Sequence, residues 1–178
     1  MLYYIHGYQS SSTGEKAILF KKTLGAIPIV YHTGSPENLV ISQCLNRISH
    51  VLENDDHVIL IGSSFGGFLA ASIALTHSTV VQLVLLNPAI IPPETDLFMI
   101  KGMPLRILKE MKDVRLFKEK ISANIIILRG KQDDIVPDEW ILQFTKAQQA
   151  NIRVYDDDHR FSKNLQKLPM IISEILKI

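Results

Sequence analysis

Six short apolar runs, separated by longer segments with helical spacing, are the feature that most constrains the fold of this chain. The runs are rich in Val, Ile, Leu or Tyr and end near a Gly, Pro, Asn or Asp, which is typical of buried strands. Strands that alternate with helices predict an α/β fold with a doubly wound, mostly parallel sheet of about six strands and helices on both faces. The predicted strands are Leu2–Ile5, Ile27–Tyr31, His57–Ile61, Val80–Leu86, Asn124–Leu128 and Ile152–Tyr155.

The segments between these runs have the spacing and end signals of helices. Gly25 is a favourable C-terminal stop for the first helix, and Pro169 is expected to break or kink the last one. The chain has no repeat, low-complexity tract or linker, so we predict a single domain over residues 1–178. The predicted helices are Glu15–Leu24, Leu39–Leu52, Phe65–His77, Leu105–Phe117, Asp138–Ala150 and Ser162–Leu176.

Residues 89–120 separate two predicted strands by more than a normal connection. Such an insertion at the strand ends often covers a site in α/β proteins. It is interpreted either as a small lid or cap or as a longer crossover helix with an irregular beginning. Its apolar side chains, such as Leu97, Phe98, Ile100 and Leu108, fit an acyl pocket or the core equally well.

Charge and cysteine content exclude several classes of function. The net charge of +1 provides no field that would attract nucleic acid or an acidic membrane. The single cysteine, Cys44, excludes an internal disulfide and metal-binding cysteine pairs. The N-terminus lacks the pattern of a signal peptide, and no apolar segment approaches the roughly 18 residues needed to span a bilayer. We therefore expect a cytoplasmic protein without a nucleic-acid partner or stable membrane insertion, and the sequence leaves its oligomeric state open.

The sequence Gly62-Ser63-Ser64-Phe65-Gly66 fits the pattern G-x-S-x-G. It follows a predicted strand and precedes an Ala-rich predicted helix, which is the context of a nucleophilic serine on a sharp turn. The alternative is a glycine-rich turn or a phosphate-binding loop. The Gly-Lys-Ser/Thr ending of a P-loop is absent, so Ser64 is the predicted nucleophile and Ser63 is expected to be structural.

The loop His6-Gly7-Tyr8 follows the first predicted strand. In a sheet of this kind it would donate one backbone N–H group to an oxyanion, and the residue after the nucleophile would donate the second. We therefore predict that the N–H groups of Tyr8 and Phe65 form an oxyanion hole. The His6 imidazole is expected to bond only locally.

Two acids compete for the role of orienting a catalytic histidine. Asp133 and Asp134 both follow the fifth predicted strand, in a G-x-x-D-x-x-V-P pattern that begins at Gly130 and ends at Pro137. This spacing selects Asp133. The alternative is that both acids only solvate the loop.

His159 follows the last predicted strand and a run of three aspartates. A general base must lie on a loop that places its imidazole over the nucleophile. The chain order Ser64, Asp133, His159 is that of a Ser-Asp-His triad on an α/β sheet. The alternative, a surface histidine in an acidic turn, would be preferred if His159 were considered alone.

Four segments together resemble a known family, the small bacterial YqiA-type esterases of the α/β-hydrolase superfamily. They are Tyr4–Ser11, Gly62–Gly67, Asn87–Ala89 and His159–Phe161. The resemblance covers almost the whole chain and implies a minimal α/β-hydrolase fold, with the nucleophile at Ser64, the base at His159 and no cofactor or metal. It also implies a glycine directly before the histidine, where this chain has Asp158.

The resulting hypothesis is a serine hydrolase that cleaves carboxylic ester or thioester bonds of small acyl substrates through an acyl-enzyme. An acyltransferase on the same scaffold is an alternative, because the sequence does not identify the acceptor. A non-catalytic binding protein that retains the fold is a second alternative, because fold does not imply function. The natural substrate and its acyl chain length stay open.

Overall fold

Six parallel strands form one sheet in the computed structural model, which describes residues 1–178. The strands lie in the order β2-β1-β3-β4-β5-β6. This arrangement confirms the predicted α/β fold with a parallel sheet. The strands are β1 (Leu2–Ile5), β2 (Ile27–Pro28), β3 (Val58–Ser63), β4 (Val80–Leu86), β5 (Asn124–Gln132) and β6 (Asn151–Asp158).

Helices connect the strands, and none of them combines the length and apolar character needed to cross a membrane. The α-helices are α1 (Glu15–Leu24), α2 (Ile41–Leu52), α3 (Phe65–Thr76), α4 (Leu105–Met111), α5 (Arg115–Lys118), α6 (Asp138–Gln148) and α7 (Leu168–Leu176). Short 3₁₀ helices cover Pro36–Asn38, Leu97–Met99 and Leu165–Lys167.

The sheet has a core on each face because side chains alternate along its strands. In β1, for example, Tyr3 and Ile5 belong to one buried cluster and Tyr4 belongs to the other. The larger cluster packs the sheet against α2, α3, α4 and α6, and the smaller one packs it against α1 and α7. The expected helices on both faces are therefore confirmed.

The strand order reverses direction at β1, which lies between β2 and β3. In open α/β sheets, ligands bind outside the carboxyl ends of the strands at such a switch point. The loop after β1 holds Gly7 and Tyr8, and the turn after β3 holds Ser64. The topology thus places the predicted oxyanion loop and the predicted nucleophile next to one another.

Three strands differ from their predicted extents by more than two residues at one end. β2 is shorter than Ile27–Tyr31, since Pro28 has no N–H to donate and the strand lies at the sheet edge. β5 and β6 run further than predicted because their polar ends still pair, with Gln132 opposite Asp158. A register irregularity between Gly130 and Gln132 accompanies this extension. Asp133 and His159, the predicted acid and base, directly follow these two strands.

Two predicted helices were wrong in extent by more than two residues. The helix predicted over Leu105–Phe117 is divided into α4 and α5, and the Asp113 carboxylate accepts the Arg115 N–H at 3.0 Å at the start of the second one. The helix predicted over Ser162–Leu176 begins only at Leu168, which places Pro169 in its first turn, where proline is tolerated.

Residues 89–120 contribute to the core as well as to the surface. Ile107, Met111 and Leu116 are buried in the larger cluster. Leu108, one of the side chains considered for an acyl pocket, also lies in that core. In contrast, Phe98 is 81% exposed. The lid interpretation of this segment stays a prediction.

Candidate active site

Ser64 occupies the tight turn between β3 and α3. Its backbone angles, φ 53° and ψ −118°, lie in a region that L-residues rarely adopt. The turn depends on two glycines: a Cβ on Gly62 would lie 2.5 Å from the Gly66 carbonyl oxygen, and one on Gly66 would lie 2.1 Å from that of Ile5. The Ser64 N–H donates to the Leu86 carbonyl oxygen at 2.9 Å, which fixes the turn against β4.

The strain at Ser64 gives a prediction for stability. Ser64→Gly is expected to raise the free energy of unfolding by about 1 kcal/mol relative to Ser64→Ala, because glycine adopts this backbone conformation without a Cβ clash. Urea unfolding of both variants measures the difference. Ser72, inside α3, is the control: Ser72→Gly should be less stable than Ser72→Ala by about 1 kcal/mol. A lower stability of Ser64→Gly than of Ser64→Ala would contradict a strained turn.

The structure brings the three side chains of the predicted triad together. His159 Nε2 lies 3.0 Å from Ser64 Oγ, although the two residues are 95 positions apart in the sequence. On its other side, His159 Nδ1 lies 2.9 Å from Asp133 Oδ2 and 3.0 Å from Oδ1. The Asp133 side chain is fully shielded from solvent, and that of His159 is 15% exposed. These contacts form an unbroken hydrogen-bonded path from carboxylate to hydroxyl.

The geometry also distinguishes the two competing acids. Asp133 Oδ1 accepts the N–H groups of Ile135 and Val136, both at 2.9 Å, so the turn holds the carboxylate rigidly toward the histidine. Asp134 is exposed and makes no side-chain hydrogen bond. Of the two, only Asp133 contacts His159.

The predicted oxyanion donors have unpaired backbone N–H groups. Neither Tyr8 nor Phe65 donates its N–H to any acceptor in the protein. The loop that holds Tyr8 lies close to the turn at Ser64. A Cβ on Gly7 would lie 3.4 Å from the Ser63 carbonyl oxygen and 3.5 Å from Ser64 Cβ. Both N–H groups therefore stay free to donate to a ligand.

His6 differs from its expected local role. Its Nδ1 bonds locally to the Gly7 carbonyl oxygen at 2.9 Å, but its ring also stacks on Tyr31, with centroids 4.3 Å apart. The Tyr31 hydroxyl donates to the His6 carbonyl oxygen at 3.2 Å. Burial lowers the pKa of the His6 imidazole, against the opposing effect of the bond to Gly7. His6 therefore contacts Tyr31 as well as its own loop.

The aspartates before His159 organise its loop. Asp157 is buried, and its carboxylate accepts the N–H groups of Asp158, Lys163 and Asn164 at 2.8–3.1 Å. Asp158, at the position where the resemblance implies glycine, accepts the N–H groups of Arg160 and Ser162. The sequence analysis missed both roles, because a run of acids gives no sign of which one turns inward.

A second missed residue is Asn87, directly after β4. It is fully buried, and its side chain bonds to the loop that carries His159. The pattern Asn87-Pro88-Ala89 was a signal, since a polar residue after an apolar strand requires a partner if it is buried. The sequence did not indicate which partner it has.

A cavity of about 130 Å³ lies beside the loop His6–Tyr8. The Tyr8 hydroxyl is buried without a hydrogen-bond partner. The cavity is lined by His6, Tyr8, Ser10, Ser11, Ser12, Val30, Tyr31, His32, Gly34, Pro36 and Leu39.

No three His, Cys, Asp or Glu side chains cluster in a way that would hold a metal ion.

Comparison with protein families identifies the chain. Residues 1–175 match the family described as "Uncharacterised protein family (UPF0227)". The chain belongs to the UPF0227 family. This is the family of the YqiA-type proteins, so the resemblance inferred from the sequence is confirmed. No curated protein sequence matches this UPF0227 chain significantly.

Solved structures of α/β hydrolases share the fold of this UPF0227 protein. Est1E from Butyrivibrio proteoclasticus superposes with a TM-score of 0.78 at 18% identity, over 98% of this chain and 86% of that one. The alpha/beta hydrolase domain-containing protein 10 from mouse gives 0.73 at 22% identity, over 99% and 89%. A meta-cleavage product hydrolase from Pseudomonas fluorescens IP01 gives 0.74 at 15% identity, over 99% and 90%. The predicted α/β-hydrolase fold is therefore confirmed.

Proposed function

We propose that this UPF0227 protein is a serine hydrolase that cleaves carboxylic ester or thioester bonds of small acyl substrates. The observation that carries the proposal is the hydrogen-bonded path from Asp133 through His159 to Ser64 Oγ, with contacts of 2.9 and 3.0 Å. A serine hydroxyl is a weak nucleophile at neutral pH and gains reactivity when an adjacent base accepts its proton. In the proposed reaction His159 accepts that proton, and Asp133 holds its imidazole in the required tautomer.

The reaction proceeds in two acyl transfers. Ser64 Oγ attacks the acyl carbonyl carbon while its proton passes to His159 Nε2, and the carbonyl oxygen becomes an oxyanion. The oxyanion collapses, the bond to the leaving oxygen or sulfur breaks, and His159 returns the proton to the departing alcohol or thiol. Water then attacks the acyl-enzyme with the same base, releasing the carboxylic acid and restoring Ser64.

The free N–H groups of Tyr8 and Phe65 support this reaction because they would donate to the oxyanion. One such donor contributes about 3 kcal/mol to transition-state stabilisation in a protease where it has been removed. The strained turn at Ser64 presents the hydroxyl at the start of α3, whose N-terminus favours nearby negative charge.

Labelling with a fluorophosphonate tests the proposal. The reagent should form one covalent adduct on the folded protein, and peptide mass spectrometry should place it on Ser64. Ser63→Ala is the matched control: Ser63 is buried and adjacent, so this variant should still be labelled. Hydrolysis of a series of p-nitrophenyl acyl esters then measures the preferred chain length. A folded protein that forms no adduct would contradict an activated serine and would favour a binding function for this fold.

A further inference from the structure

Asn87 lies where three strand ends meet. It follows β4 directly, has none of its surface exposed, and adopts φ 42°. Its backbone N–H donates to the Leu128 carbonyl oxygen of β5 at 3.0 Å. Asparagine is among the few non-glycine residues that adopt this left-handed conformation readily. The chain can therefore turn here and still have a side chain that forms hydrogen bonds, which glycine would lack.

The side-chain amide of Asn87 makes three hydrogen bonds. Oδ1 accepts the Gly130 N–H at 2.8 Å. Nδ2 donates to the carbonyl oxygens of Asp158 at 3.2 Å and of His159 at 3.0 Å. One acceptor faces an N–H group and two donors face carbonyl groups, so the amide has a single orientation that satisfies all three.

These bonds link Asn87 to all three segments of the candidate active site. Its neighbours hold Ser64, since Leu86 accepts the Ser64 N–H and Ala89 donates to the Ser64 carbonyl oxygen at 3.0 Å. Gly130, which Asn87 binds, accepts the Asp133 N–H at 3.2 Å. The third segment is bound directly, through the His159 carbonyl oxygen.

We propose that Asn87 is a positioning residue that sets the distance of the His159 imidazole from Ser64 and Asp133. This inference rests on the proposed hydrolase function. The His159 backbone is anchored at its carbonyl by this amide, and a proton-transfer geometry is sensitive to displacements of about 1 Å. No other side chain donates to the carbonyl oxygen of His159.

The chain offers a matched control for a purely structural role. Gln148 is also a buried amide that accepts one N–H and donates to two carbonyl groups, but it joins α6 to the segment before β5, away from the candidate site. Its Oε1 accepts the Ile121 N–H at 3.0 Å, and its Nε2 donates to the carbonyl oxygens of Leu116 and Glu119 at 2.7 and 2.8 Å.

The experiment compares Asn87→Asp with Gln148→Glu. Each change keeps an acceptor for the N–H group and removes both donors to the carbonyl groups. With p-nitrophenyl butyrate as substrate, Asn87→Asp should lower kcat about 10- to 100-fold and leave KM within about threefold. Gln148→Glu, normalised to folded protein by near-ultraviolet circular dichroism, should keep kcat within about twofold. Proton NMR should also show the downfield resonance of the His159 Nδ1–H lost or broadened in Asn87→Asp alone.

Asn87→Gly is made in parallel, because it keeps the left-handed backbone without introducing a charge, and the same loss of kcat is expected. A folded Asn87 variant with wild-type kcat, or an equal loss in Gln148→Glu, would overturn the proposal. Failure of both Asn87 variants to fold would also overturn it, since Asn87 would then be needed for the sheet itself. If the wild type hydrolyses no ester, the proposed function fails, while the NMR resonance still tests whether Asn87 positions His159.

Discussion

Ser64→Ala is expected to lower kcat for a small acyl ester by about 10⁴–10⁶-fold, as removal of the nucleophile does in a serine protease. Alanine leaves His159 without a hydroxyl to deprotonate, so no acyl-enzyme can form. The fold should persist, because both glycines beside the turn and the Ser64 backbone bond to β4 are unchanged. Initial rates of ester hydrolysis and circular dichroism of the purified variant measure the two effects.

Ser63→Ala is the control for that loss, because it removes a hydroxyl one residue away. Ser63 is 8% exposed and belongs to β3, so its variant should keep kcat within about threefold. Equal losses in the two variants would indicate a disturbed turn, and wild-type turnover by Ser64→Ala would exclude Ser64 as the nucleophile.

Asp133→Asn is expected to lower kcat about 10³–10⁴-fold while the protein stays folded. The asparagine Oδ1 can still accept the N–H groups of Ile135 and Val136, so the turn is preserved. Its NH₂ group then faces His159 Nδ1 and cannot accept a hydrogen bond from an Nδ1–H group, which favours the wrong tautomer of the imidazole. Kinetics with the same ester, at saturating substrate, measure the loss.

Asp134→Asn separates this effect from a general loss of negative charge in the loop. Asp134 is exposed and adjacent, and its variant should keep kcat within about twofold. A larger loss in Asp134→Asn than in Asp133→Asn would assign the orienting role to the other acid and contradict the geometry described above.

The sequence predicts most of the secondary structure where local signals are strong. α1 has its predicted bounds because Gly25 adopts φ 66° and ends the helix. β4 has its predicted bounds as well, since a run that is apolar except for Gln82 fits a largely buried strand. The extents of β5 and β6 were missed, because their polar ends pair only with each other and polar residues alone do not indicate a strand.

The candidate site shows the same division between local and long-range signals. The G-x-S-x-G motif and the order of Ser64, Asp133 and His159 predicted which side chains would meet, and the structure brings them together. Their catalytic roles, and those of the Tyr8 and Phe65 N–H groups, stay predictions. Asn87 was not recognised, because its partners lie 43 and 72 positions away and no periodicity encodes such contacts.

The position of His159 at the end of β6 has a consequence for biosynthesis. β6 is the edge strand that pairs only with β5, and Ser64 precedes His159 by 95 residues. A chain emerging from the ribosome therefore exposes its serine turn well before the residue that would activate it has been made. Closing so long a loop is slow compared with local folding. Covalent labelling of nascent chains stalled at increasing lengths would thus report when the loop after β6 reaches Ser64, because a product that ends before His159 carries the serine and lacks the predicted base.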